Sequence, residues 1–118
     1  MISFFDRQGQ AVAFCEDGRS IYFWDGKPAA YFDGDMVFAY PGHLVGWFQD
    51  GWIIDGQGDC LLFESDAIRG PTKPERLAKS TPAPRRPKPA KAARTAETIT
   101  GRPVQTTTWS TRTFAQLV

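Results

Sequence analysis

The chain has little of what most reactive sites are made from. Its 118 residues include two cysteines and one histidine, too few for a disulfide framework or a cysteine/histidine zinc site, so Cys15 and Cys60 read as reduced, packed thiols. No stretch approaches the roughly 18 consecutive apolar residues of a membrane-spanning helix. The opening MISFFDRQGQAVAF has no basic segment leading into an apolar one, which sets the expectation of a cytoplasmic protein without a secretory signal. Helix is scarce too: before Glu64 no window of eleven residues escapes a glycine or a proline, so a helix of ordinary length has nowhere to form. No nucleophile elbow, phosphate-binding loop, dinucleotide fingerprint or histidine-pair zinc motif occurs. These absences lead to the expectation of a protein that is not an enzyme, with no catalytic residue, no cofactor and no metal.

What is present is sorted into two halves. Residues 1–68 hold eleven acidic and three basic side chains, a net charge of −8, whereas residues 69–118 hold eleven basic and two acidic ones, a net of +9. The aromatics are sorted as well, since of sixteen only Trp109 and Phe114 lie beyond Phe63. The core therefore belongs to the first half, and an oppositely charged second half is joined to it.

The first half repeats itself. Gly9, Gly26, Gly42 and Gly58 are spaced by 17, 16 and 16 residues. Five residues after each stands an aromatic (Phe14, Tyr31, Trp47, Phe63), and four after each stands Ala13, Ala30, Gly46 or Leu62. Just before each turn come Phe5-Asp6, Trp24-Asp25, Tyr40-Pro41 and Ile54-Asp55. A period of this length is the mark of a repeated supersecondary unit. Large apolar residues alternate within each copy and are interrupted by Asp-Gly or Pro-Gly, as at Asp17-Gly18, Asp33-Gly34, Pro41-Gly42 and Asp50-Gly51. Asp-Gly favours tight hairpins because these residues adopt positive φ at least cost. The pattern predicts an all-β, up-and-down meander of about eight short strands, arranged as four hairpins around a pseudo-four-fold axis. Closure of the four hairpins removes the two exposed edges of an open meander. The small residues Ala13, Ala30 and Gly46 then crowd at the centre, with Leu62 filling the middle.

The stretch YFWDGKPAAYFDGDMVFAYPGHLVGWFQDGWIIDGQG, and FAYPGHLVGWFQDGWIID within it, resembles the four-fold beta flower family of bacterial proteins. The resemblance spans residues 2–64 and extends loosely to the Pro- and Lys-rich tail ending in WSTRTF. Pro41 in place of a turn acid and Leu62 in place of a small residue depart from strict symmetry. The resemblance implies a fold of four short hairpins around a pseudo-four-fold axis, and no activity.

The rest of the chain divides in two. After the hairpin domain of residues 1–68, residues 69–105 are rich in proline, lysine, arginine, alanine and threonine. They bury too little apolar surface to offset their chain entropy, and read as an extended basic linker or arm. Residues 106–118 regain β-branched and aromatic side chains, and Thr113 stands three residues before Gln116 as in a capping box. This end reads as a docking segment, with Trp109 and Phe114 as its anchors.

Two sets of side chains carry the functional reading. Tyr22, Trp24, Tyr40, Trp47 and Trp52 form a candidate interaction surface, either for a protein partner or self-association, or for a ligand stacked in lectin-like fashion. Lys73, Arg76, Lys79, Arg85, Arg86, Lys88, Lys91 and Arg94 form a basic arm suited to nucleic acid or an anionic surface, or to folding back on the acidic half. His43, alone in its copy and without a chemical partner, reads as a solvent-facing polar residue. DGQGDC at residues 55–60 resembles part of a calcium loop but lacks its acidic alternation and closing glutamate. The expected function is a non-enzymatic binding or assembly module, with nucleic-acid binding through the arm and ligand binding by the aromatic ring as alternatives.

Overall fold

Turn chemistry dictates the architecture. In the computed structural model, which describes residues 1–94 and 101–118, eight strands follow one another: β1 (Ile2–Phe5), β2 (Ala11–Cys15), β3 (Ser20–Phe23), β4 (Pro28–Asp33), β5 (Met36–Ala39), β6 (Leu44–Gln49), β7 (Trp52–Ile54) and β8 (Cys60–Phe63). Each pairs antiparallel with the next, and β8 returns to β1 through Phe5 opposite Phe63, closing an up-and-down barrel. The connections β4–β5 and β6–β7 are only two residues long. Asp50 and Gly51 both take positive φ (53° and 87°) between the paired Gln49 and Trp52, the geometry of a two-residue hairpin with both central positions left-handed. The connections β1–β2, β3–β4, β5–β6 and β7–β8 are wider and carry the repeating glycines.

The four-fold repeat is expressed in the backbone. The ladder shifts register between Phe4 and Phe5, Ile21 and Tyr22, Val37 and Phe38, and Ile53 and Ile54. These bulges recur at the spacing of the sequence repeat, and each bends its strand and sharpens the local twist, which is how so short a sheet closes. The wide turns also recur: Asp6, Phe23, Ala39 and Asp55 each donate N–H to the residue four further on and accept from the repeating glycine, at 2.8–3.0 Å. Asp6 and Asp55 therefore open their turns, whereas Asp25 and Pro41 stand two positions later in theirs.

Strand alternation separates two sets of side chains. Phe4, Ala13, Ile21, Ala30, Val37, Ile53 and Leu62 point inward and are almost wholly buried. Gly46 occupies the same ring, and a Cβ there would collide with the carbonyl of Ile54. Phe32, Phe48 and Phe4 close the tight-turn end with ring centroids 5.5–6.1 Å apart. The outward set is also aromatic: Phe5, Phe14, Tyr22, Tyr31, Phe38, Trp47, Trp52 and Phe63 are all buried, so the barrel has a second apolar layer outside its core. The chain covers that layer itself. A last element, α1 (Phe114–Leu117), is one helical turn capped by Thr113, whose side chain accepts from Gln116 N–H while the Gln116 side chain accepts from Thr113 N–H.

Candidate binding surface

Beyond Gly70 the chain is laid around the barrel as a strap. The carbonyls of Glu75, Pro84, Ala93 and Val104 lie directly over Gly9, Gly26, Gly42 and Gly58, where any Cβ would collide with them. The repeating glycines thus serve twice, through their positive φ in the turn and through the bare surface they leave for the strap. Two residues after each contact the strap donates to the glycine it has crossed: Leu77 N–H to Gly9 O, Arg86 N–H to Gly26 O and Thr106 N–H to Gly58 O, each at 2.9 Å. The corresponding donor of the third copy lies outside the described residues. One residue before the contact, Ala83 N–H bonds Trp24 O and Ala92 N–H bonds Tyr40 O, at 2.9 and 2.8 Å. In the other two copies that position is Pro74 or Pro103, which have no N–H to give.

A second, shorter repeat in the strap leaves almost no mark in hydrophobic patterning. It reads Pro74-Glu75-Arg76, Ala83-Pro84-Arg85, Ala92-Ala93-Arg94 and Pro103-Val104-Gln105. Arg76, Arg85 and Arg94, nine residues apart, were the available signal.

The basic side chains lie on the outer aromatic layer. The Arg76 guanidinium stands 5.7 Å from the Phe5 ring centroid, Arg85 5.9 Å from Tyr22 and Arg94 4.1 Å from Phe38. Those three rings are themselves one barrel repeat apart. Lys79 is over Phe5 and Trp24, and Lys91 is 4.2 Å from the Tyr31 centroid. Each contact combines cation–π attraction with packing of the aliphatic stem, while the charged head stays in water. Lys79 Nζ donates to Ser3 Oγ and Lys88 Nζ to Ser20 Oγ; Lys73 Nζ donates to Ser65 O and Ala67 O. Acidic turns hold others: Arg86 pairs with Asp25 at 3.5 Å, Arg94 with Asp33 at 2.5 Å, Arg102 with Asp35 at 2.6 Å and Arg69 with Asp50 at 3.4 Å. Such exposed pairs contribute at most about 1 kcal/mol each, and they fix the strap's register more than its stability.

This arrangement changes the meaning of the aromatic ring. Tyr22, Tyr40, Trp47 and Trp52 are buried, and Trp24 is half-buried. Trp24 Nε1–H donates to Ser80 O, and Trp52 Nε1–H to Ile68 O. A face that reads in the sequence as open to a ligand is occupied by the protein's own strap, because the eight outward rings left in water would cost far more than ordering the strap over them. The cations of residues 73–94 remain accessible on its outer side. Residues 95–100 of the arm lie outside the described residues.

The end of the chain closes the wide-turn end of the barrel. Cys60 N–H donates to Thr108 O, and Ser110 N–H to Cys60 O, so residues 108–110 run parallel to β8 along the edge that β1 leaves free. Trp109 is half-buried against Trp52 and Phe63, with centroids 5.5 and 6.0 Å away. Phe114, 2% exposed, enters the core beside Phe23 at 5.9 Å. His43 is not the free polar residue of the sequence reading: its Nε2 lies 2.7 Å from Leu117 O, at the last turn of α1.

The other reactive side chains are likewise engaged. Asp55 accepts from Gln57 N–H, Asp59 N–H and Ser110 Oγ–H, and Asp59 accepts from Thr106 Oγ1–H, so DGQGDC is a turn that anchors the strap. Burial, reinforced by Asp59 and Asp55, pushes the Cys60 thiol up to about 12, and burial also raises Cys15. Such thiols are poor nucleophiles. Among the described residues no group of three or more histidine, cysteine or carboxylate side chains is placed to hold a metal ion, and no helix is long and apolar enough to cross a membrane.

Residues 2–118 match the family described as 4-fold beta flower protein, and the chain belongs to that family. The match covers the strap and the docked end as well as the barrel. No curated protein and no solved structure matches the chain.

Proposed function

We propose that this member of the 4-fold beta flower family is a non-enzymatic binding module that meets an acidic protein surface through the cations of its strap. The observation that carries the reading is the seating of Arg76, Lys79, Arg85, Lys91 and Arg94 over buried rings at 4.1–5.9 Å. Cations held on a rigid support lose less rotamer entropy on binding than cations on a free arm, and so bind more tightly for the same charge. His43, Cys15, Cys60, Asp55 and Asp59 are each committed to packing or to holding the chain, which favours a binding role over a catalytic one.

Nucleic acid is the second reading, favoured by the density of lysine and arginine. Two observations weigh against it. The rings beneath the cations are covered, so bases have little to stack on. The barrel's carboxylates, among them Asp25, Asp33 and Asp35, are interleaved with the cations, and a uniform polyphosphate meets repulsion beside each attraction. A lectin-like use of the aromatic ring requires the strap to leave first. The full chain should be titrated with polyglutamate and with duplex DNA at about 50 and 200 mM salt. Binding of polyglutamate that weakens with salt, and is lost when Lys79, Arg85, Lys88 and Lys91 become Gln, supports the reading. Tighter binding of DNA transfers the function to the second reading, and binding of neither overturns both.

A further inference from the structure

At the wide-turn end, between the first turn, β8 and the docked chain end, lies a cleft of about 310 Å³. Its walls are apolar, formed by Val12, Leu61, Leu62, Trp109 and Phe114. Arg7 and Arg112 stand on its lining, both exposed, and neither guanidinium has an ion-pair partner among the described residues. One carboxylate, Asp6, also stands on the lining and accepts from Gln8 and Gln10 N–H, and Asp55, across the neighbouring cleft, is held by Ser110 and its own turn amides. Of the strap's arginines, Arg86, Arg94 and Arg102 each find an aspartate, and Arg76 and Arg85 lie over the Phe5 and Tyr22 rings.

We infer that this cleft is a binding site for a small amphipathic carboxylate, whose apolar body lies against Trp109, Phe114 and Leu61 and whose carboxylate is met by Arg7 and Arg112. An apolar pocket with a few polar groups converging at its mouth is the usual form of a small-ligand site, and this volume lies at the small end of the range of roughly 300–1,000 Å³. That size fits a medium-chain fatty acid or an arylalkanoate rather than a long lipid. A guanidinium matches the fork of a carboxylate, and two of them on one lining reject a cation of the same shape. The site is composite, because the first turn and β8 supply one wall and the last ten residues supply the other. It is separate from the strap's cations, and its ligand differs from the acidic protein proposed above.

The test uses the full chain, with hexanoate, octanoate and decanoate as probes, followed by chemical-shift changes of the Trp109 indole N–H and the Val12 and Leu61 methyls. Affinity should rise by up to about fourfold for each added methylene until the cleft is full. Octanol and octylammonium should bind at least tenfold more weakly than octanoate. Arg7→Gln with Arg112→Gln should reduce octanoate affinity about tenfold or more with the melting curve unchanged, since both side chains are exposed, and Ala115→Trp should block the cleft. Octanol binding as tightly as octanoate, unaltered affinity in the double arginine variant, or shift changes spread away from Trp109 would overturn the assignment. So would the absence of any shift change at millimolar probe.

Discussion

The Nε2 atom of His43 lies 2.7 Å from the carbonyl oxygen of Leu117, so the one histidine of the chain holds the single turn of α1. A single helical turn has almost no stability of its own. Its place depends on Phe114 in the core, on the Thr113 capping box and on this contact.

His43→Ala should therefore act on the chain end rather than on the barrel. Loss of one part-buried hydrogen bond costs about 1 kcal/mol, which lowers Tm by about 3–8 °C in a domain of this size. Hydrogen exchange should quicken at Gln116 and Val118 while the ladder amides keep their relative protection. Equal loosening of the strands would show that His43 supports the barrel directly.

Phe114→Ala is the stronger version of the same experiment. A fully buried phenylalanine costs about 3–5 kcal/mol on truncation, so the melting temperature should fall by on the order of 10 °C. Removal of residues 106–118 should have a similar effect and should expose surface that binds an apolar dye. An unchanged melting curve after that deletion would mean that the end of the chain contributes nothing to the fold.

The strap can be isolated from turn strain by comparing two glycines. Gly18 and Gly26 have similar positive φ (75° and 88°), but a Cβ at Gly18 meets nothing within 4 Å, whereas at Gly26 it strikes the Pro84 carbonyl. Gly18→Ala should cost about 1 kcal/mol of backbone strain. Gly26→Ala should carry that cost and in addition lift the strap, seen as faster trypsin cleavage at Arg85 and Arg86. Identical cleavage rates in the two variants would count against the strap's contact with the turn.

The thiols supply a pH prediction. Burial holds Cys60 at about 12 against an ordinary value near 9.0. Below pH 9 the thiol is protonated in both folded and unfolded chains and does not affect the equilibrium. As the pH rises from about 9 toward 12 the unfolded chain ionises first, so stability should fall across that window, and Cys15, also raised by burial, adds to the fall. Cys60→Ala with Cys15→Ala should flatten the alkaline limb measured by denaturant unfolding. At pH 8 a thiol reagent should modify neither cysteine until the protein is unfolded.

The fold was legible in the sequence because its instructions are local. Asp-Gly pairs, an aromatic five residues past each glycine and a small residue before it specify turn, outward face and inward face within a few positions. Ala13, Ala30, Gly46 and Leu62 ring the centre for that reason. Even the capping box at Thr113 could be read, since Thr113 and Gln116 are near neighbours. The course of the strap depends on something else. Its contacts join Gly9 to Leu77 and Gly26 to Arg86 through main-chain groups, which every residue type carries and which therefore leave little trace in side-chain patterning. Composition alone made residues 69–105 a linker, because their apolar content is low. The tertiary structure decided otherwise by providing an aromatic surface on which arginine and lysine stems pack with their charges still hydrated. It also decided that Tyr22, Tyr40, Trp47 and Trp52 are covered and that His43 faces Leu117 O. Hydrophobic periodicity fixes which face of a strand a ring occupies, but what lies on that face is settled by chain brought back from far along the sequence.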